Sequence, residues 1–596
     1  MLAVHLPMGT PGETLDRVPR VYVAKASELL VLRASRKRKA SEQNPQLTPE
    51  PYTAVTMGGG TSLWASPDWK KDPKEIFNRH LLLLGVTIAF AGCSYGFDQG
   101  NIGGIMTFPS FRKAFGFDGL TTQEADTREG NIAAMLAAGG SAGALLAAPL
   151  ADFLGRKKSV IAMSALFLLG CAMQEIPNLD TLYAGRLLAG IAIGAQSMLA
   201  PQYLAENSPT SIRGSLTTSY NLMIIFALAV AFWINYAVST WPNQDQNDNK
   251  SWQLALGIQL IPGFFLFALI WFVIETPRAL ISKGQYELGL KNLCKLRGLP
   301  ADHPYVHREY MEITTQAEIE QSQAKGYSYM TVMREIATNA SNRRRLFLAV
   351  WLFIFHKLTG TDSINYFAPQ IFSMIGVAKG SSSLLTTGVY GVVKLAATIL
   401  YVTFIVDRVG RRLPLMIGAT IQATAMLYIG LYLRFVKPED GGGTPAGGIV
   451  GIIWLYLYAF GWSFGHSVAP YVVAAEIFPA RIRSFCMACC LFTNWIVNYG
   501  ITSATPHMLT TMGYGTFLFF AIATYVGVIF IYFCLPELKG RSIESMDDLF
   551  QHSLWTMFKR AYPTEDEKVR HDVQEILHQE KTEDGRVSMV EDVGRR

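Results

Sequence analysis

Between Ser484 and Leu535 the chain carries no Asp, Glu, Lys or Arg. That length corresponds to two crossings of a bilayer core at about 20 residues each, and the stretch TTMGYG, Thr510–Gly515, supplies a turn between them. Ten further segments are long and apolar in the same way: 81–104, 131–151, 159–177, 180–204, 215–238, 252–274, 346–376, 384–406, 413–433 and 449–475. Hydrocarbon offers the backbone no hydrogen bonds, so each segment must satisfy its own as a helix. The expected fold is an all-α membrane protein with twelve transmembrane helices. A content of 50% hydrophobic and 16% charged residues is too apolar for an ordinary soluble enzyme.

The placement of charge orients the chain. Twelve crossings put both tails on one side, whose short loops hold Arg156, Lys157, Lys158, Arg213, Arg408, Arg411, Arg412, Arg481 and Arg483, with eleven more Lys and Arg in 277–345. The opposite loops hold seven: Arg112, Lys113, Arg128, Lys250, Lys379, Arg434 and Lys437. Positive loops face the cytoplasm, so both termini are expected there. The net charge of +6 carries no nucleic-acid signal. Six of the seven cysteines fall in apolar spans and none pair in outer loops, so no disulfide framework is expected. The expected organisation is a largely disordered cytoplasmic tail (1–75), a six-helix bundle (76–275), a cytoplasmic linker of short amphipathic helices (276–345), a second six-helix bundle (346–536) and a cytoplasmic tail (537–596). Met57 opens MGGGTS, which fits an N-myristoylation pattern only if translation began there, and Asn249-Lys250-Ser251 is a glycosylation sequon in an outer loop.

The two halves share their punctuation. After span two comes DFLGRKK, with Asp152 and Arg156; after span eight comes DRVGRR, with Asp407 and Arg411. After span four, Glu206 precedes Arg213 by seven residues; after span ten, Glu476 precedes Arg483 by the same spacing. A duplicated six-helix unit is the mark of a transporter with its site between the halves near the midplane. The repeated acids and arginines lie at the cytoplasmic edge, where they are expected to pair across the interface between halves, holding the inner gate shut in the outward-open state and breaking in the inward-open one.

With these landmarks go YGFDQGNIGG (95–104), AGRLLAGIAIG (184–194), ETPRALISKG (275–284) and PELKGRSIE (536–544). Together, from about residue 75 to 550, they resemble the sugar porter family of the major facilitator superfamily. The stretches LKNLCKLRGLPADHPY and GVYGVVK are most similar to the fungal branch that includes quinate and sugar-acid permeases alongside monosaccharide permeases. The resemblance implies alternating access around a sugar site between two pseudo-symmetric bundles, by facilitated diffusion or proton symport. For proton-coupled members it implies a span-one aspartate paired with a span-four arginine, here Asp98 and Arg186.

The resemblance also exposes an anomaly. The span-seven motif QQxxGxNxxxYY, whose amides bond sugar hydroxyls in the family, reads here His356, Lys357, Gly360, Asp362, Tyr366 and Phe367. Span eight adds Lys394. Amides donate and accept, whereas an ammonium only donates, so two midspan lysines are hard to explain with a neutral sugar alone. One explanation is a carboxylate on the solute; a second is internal pairing of a lysine with Asp362; a third is a lysine snorkelling or turned to another helix. Family position further implies Asn221, Tyr471, Asn494 and Trp495 as solute contacts, the indole stacking on a sugar ring. His466 and His507 read as hydrogen-bonded core histidines.

No Walker A loop, zinc-ligand cluster or nucleophile elbow is present, so neither enzyme nor primary pump is expected, and no cofactor or metal is implied. The expectation is a multi-pass plasma-membrane transporter that imports a sugar or a sugar-derived acid, with a quinate-like or uronate-like solute favoured, by proton symport. Its partners are that small molecule, the proton and the lipid bilayer. The alternatives are a neutral hexose or pentose facilitator and a transport-inactive sugar receptor.

Overall fold

The computed structural model describes residues 72–209, 211–241, 249–324, 329–405, 409–436, 444–539, 541, 546 and 549–562. Residues 1–71 with Met57, most of the C-terminal tail, Asp407, Arg408 and Lys437 lie outside them. Every regular element among the described residues is a helix. Ten helices are long and apolar enough to cross a membrane by length and composition. They are span one (Arg79–Ile105), two (Thr122–Leu154), four (Leu179–Asn207), five (Arg213–Ser239), six (Lys250–Phe272), eight (Ser381–Phe404), nine (Arg412–Phe435), ten (Ala446–Ile477), eleven (Arg481–Met512) and twelve (Tyr514–Cys534). Span three, Arg156–Gln174, and span seven, in two pieces Ala340–Leu358 and Thr361–Met374, complete the twelve. Most exposed apolar side chains, among them Leu82, Phe272 and Ile522, lie on these helices, as expected of a surface bathed in acyl chains.

Three spans are broken, each for a visible reason. Span seven breaks at Gly360, which takes a left-handed φ of 85° that a side chain would resist. Span six pauses between Lys250–Gly257 and Leu260–Ile270. Span ten loosens into a π-helical turn, Trp462–His466, before Pro470 opens the piece Ala469–Ile477. Span two begins earlier than hydropathy predicts, because Thr121 and Glu124 form a capping box that starts the helix ahead of its apolar run.

Across the middle, span two packs along span eleven, span five along span eight, and span one against the second piece of span seven. Four helices, Pro277–Ser282, Tyr286–Arg297, Pro304–Ala324 and Tyr329–Thr338, link the halves. Arg297 anchors this linker: its guanidinium meets Glu309 at 2.7 and 2.5 Å and the Asn207 carbonyl at the end of span four at 2.8 Å. At the start of span six, Trp252 Nε1 donates to Asn249 Oδ1 at 3.1 Å, and Ser251 is buried against Ser110 at 2.9 Å. Both functional side chains of the sequon are therefore engaged in packing.

Candidate functional site

The repeated motifs build the same device twice. Arg156 opens span three and reaches Glu206 at 3.0 Å; Arg411 precedes span nine and reaches Glu476 at 3.0 Å. An acid from beyond the sixth span of each half caps the same turn. Glu275 accepts from Lys157 N at 3.1 Å, and Glu537 accepts from Arg411 N at 3.0 Å and Arg412 N at 3.1 Å. The glycine of each motif leaves room for that carboxylate: a Cβ would sit 2.7 Å from Glu275 at Gly155 and 2.5 Å from Glu537 at Gly410. In the state the structure captures, with the halves joined on the opposite side, these pairs do not cross the interface. Each ion pair lies within one half, because the short turn points the arginine at the last turn of a span in its own bundle. Asp152 lies in the field of Arg156 and Glu206 in that same half. Arg483 donates to the Phe478 carbonyl at 3.0 Å, and Arg213 lies in the field of Glu309 of the linker.

Halfway across the membrane the polar residues gather. Asp98 and Arg186 form a wholly buried pair, Nη1 to Oδ1 at 3.2 Å, and Asp98 Oδ2 and Arg186 Nε have no hydrogen-bond partner. The Asp362 carboxylate accepts two bonds: Lys357 Nζ at 2.7 Å from the other piece of span seven, and Gln99 Nε2 at 2.8 Å from span one. Five residues do not share a face of a continuous helix, but the break at Gly360 brings Lys357 and Asp362 together. Lys357 therefore follows the second of the three explanations. Snorkelling is excluded for both lysines, which are 4% and 0% exposed.

Lys394 is different. Its ammonium donates to Asn365 Oδ1 at 3.1 Å and stands 3.9 Å from the centre of the Trp462 ring. No carboxylate lies within 4.0 Å of it among the described residues. Next to Trp462, His356 stacks on His466 at 5.7 Å and meets Tyr471 edge-on at 6.1 Å. His466 bonds Gln422 at 2.9 Å, as a core histidine should, while His356 Nδ1 has no partner. Trp495 is buried on Gly140 of span two and 5.4 Å from Tyr95 of span one, its Nε1 unpartnered. Asn494 is buried beside it with Oδ1 unpartnered. Asn221 reaches across the halves to Ser467 Oγ at 2.9 Å. The arrangement is a buried polar cluster among apolar helices, with unused donors and acceptors and an amine, Lys394, that makes no direct ion pair among the described residues. It is suited to holding a small polar solute.

Residues 84–550 match the family model described as sugar (and other) transporter. The chain belongs to this family. It is 35% identical over 497 residues to the quinate permease of Emericella nidulans, covering 82% of this chain and 92% of that protein. It is 36% identical over 534 residues to a probable quinate permease of Aspergillus niger, covering 88% and 98%. Among solved structures, the inward open form of the xylose transporter XylE from E. coli superposes with a TM-score of 0.64 at 22% identity, covering 79% of this chain and 99% of that one. The proton:xylose symporter XylE bound to 6-bromo-6-deoxy-D-glucose gives 0.66 at 22% identity, with the same coverage. The fold is that of the major facilitator superfamily, and the protein is a membrane transporter, not an enzyme.

Three polar residues of this sugar transporter escaped the reading of the sequence. Gln99, Asn365 and Trp462 touch the ionisable groups, yet each reads locally as one polar or aromatic residue in an apolar run. The signal for Gln99 was its place directly after Asp98. On the side away from the D-x-x-G-R turns, the transporter's halves are joined by Asp126, Glu129 and Thr510, which the sequence left in loops, and by Gln370 of span seven. Glu129 accepts from Gln370 at 2.8 Å, and Thr510 bonds Asp126. His507, read as a core residue, is instead at the end of span eleven, 35% exposed, with Nε2 3.0 Å from Thr127.

Proposed function

We propose that this transporter moves a polyhydroxylated carboxylic acid of the quinate type together with a proton, importing it across the plasma membrane with both termini in the cytoplasm. The observation that carries the reading is Lys394: a fully buried amine whose hydrogen bond among the described residues is to a neutral amide. An ammonium at membrane depth is costly, and a solute carboxylate would supply a direct, charge-assisted bond that Lys394 does not make to the more distant Asp362. The neighbouring indole of Trp462, the His356–His466 stack, Tyr471, Asn494 and Trp495 would serve the ring and its hydroxyls. The quinate permeases at 35–36% identity support the same solute class. Asp98 is the proposed proton site, since its pair with Arg186 uses one carboxylate oxygen and leaves the other free. A neutral-sugar carrier is the second reading, favoured by the internal neutralisation of Lys357 by Asp362.

The test is uptake by purified protein in liposomes, comparing quinate with glucose under an imposed pH gradient. Lys394→Gln is expected to weaken quinate by about 10- to 100-fold, the worth of roughly 1.5–3 kcal/mol for a bond to a charged group, and to leave any glucose uptake nearly unchanged. Equal losses for both solutes would defeat the carboxylate assignment. Asp98→Asn should abolish accumulation against a gradient while sparing exchange; undiminished uphill uptake would remove Asp98 as the proton site.

A further inference from the structure

The Lys357–Asp362 pair and the Asp98–Arg186 pair are separate groups of atoms; buried Tyr366 lies in the field of both, and Gln99 is the side chain that bonds across to one of them. Gln99 follows Asp98 in span one. Successive helical residues point about 100° apart, so Asp98 turns into its own half toward Arg186 while Gln99 turns across the seam to span seven. There its Nε2 holds Asp362 Oδ1 at 2.8 Å, and Lys357 holds the other oxygen at 2.7 Å. Gln99 is 6% exposed and Asp362 2% exposed, so water does not share this bond. Span one is also wedged at this level. A Cβ at Gly96 would strike the Ile224 carbonyl of span five, and one at Gly103 the Tyr366 carbonyl of span seven. A small shift of span one is therefore felt directly at the Asp362 carboxylate.

We infer that Gln99 is the positioning residue that couples the charge state of Asp98 to the solute chamber, by holding or releasing the Lys357–Asp362 pair across the seam. The inference rests on Asp98 as proton site and deepens that reading. With Asp98 ionised against Arg186, span one sits where Gln99 clamps Asp362 and the halves stay together, as in the structure. When Asp98 takes a proton from water on one side, its hold on Arg186 weakens, span one shifts, and the amide lets go. The Lys357–Asp362 pair then becomes free to rearrange around the solute.

The experiment uses the full-length protein in liposomes and reads quinate exchange at equal pH, uphill accumulation under a pH gradient, and protons moved per quinate. Gln99→Ala is expected to keep exchange while accumulation falls by about tenfold or more, on the scale of one bond to a charged group, with fewer protons moved per quinate. Gln99→Glu provides a second arm: protonated, it can donate to Asp362 as the amide does; ionised, it repels it. Its accumulation should appear only in acidic solution, whereas wild type works over a wider range. Wild-type accumulation and proton ratio in Gln99→Ala would overturn the inference, as would losses of exchange and accumulation in equal measure. A wild-type pH profile in Gln99→Glu would overturn it too, even if the alanine variant does not fold. Failure of the wild-type protein itself to accumulate quinate would sink the symport reading and this inference with it; competence of wild type and Gln99→Ala alike would sink this inference alone.

Discussion

Lys357 and Asp362 replace two neutral amides with an ion pair, and that exchange has a definite energetic character. A buried pair adds little net stability, but removing one partner strands the other charge, at about 3–5 kcal/mol. Asp362→Asn alone is therefore expected to lower the melting temperature of the purified protein sharply. Adding Lys357→Gln, which restores the neutral pattern of the resembled motif, should recover most of the loss. A double variant no more stable than Asp362→Asn would show that Asp362 acts through something other than Lys357. The sequence showed that both residues were out of place, but not their pairing, because a spacing of five means nothing until the helix is known to break at Gly360. Lys394 was equally conspicuous, and that it bonds Asn365 and no carboxylate among the described residues could be found only with neighbouring spans in place. Gln99 was least legible of all, since its partner lies 263 positions away.

At the scale of elements, the twelve spans were legible because a membrane helix announces itself by length and apolarity. The breaks in spans six and ten were not, because a pause of two residues or a π-helical turn leaves the composition unchanged. The duplicated D-x-x-G-R turns were visible too, but two of their partners were not: Glu275 and Glu537 come from far along the chain to cap the helices that follow. A carboxylate at a helix N-terminus satisfies free N–H groups and opposes the positive end of the helix dipole. Glu275→Gln and Glu537→Gln keep the shape and remove the charge, and each is expected to cost about 1–2 kcal/mol. Because the two halves repeat the geometry, thermal unfolding of the two variants should shift by similar amounts. A shift in one and none in the other would mean that the duplication is one of sequence without shared mechanics.

For the molecule as a whole, the placement of the ion pairs changes what must move. Arg156–Glu206 and Arg411–Glu476 stiffen each half separately, while Asn221 to Ser467, Gln99 to Asp362, Glu129 to Gln370 and Thr127 to His507 join the halves, the last two on the opposite face. The close approach of span one to span seven at Gly103 belongs to this closed seam, and it tolerates no side chain, since a Cβ would strike the Tyr366 carbonyl. Gly103→Val is thus expected to destabilise the closed face while leaving both bundles folded, so that the halves rest apart on that side. Spin labels at Gln123→Cys and Met512→Cys, both exposed and near opposite lips of the seam, should report a longer mean distance in the Gly103→Val background than in otherwise wild-type protein. Quinate exchange should stall, because the cycle can no longer pass through the closed arrangement. Should the distance and exchange both stay as in wild type, the Gly103 contact is incidental packing, and the seam is closed by its polar bonds alone.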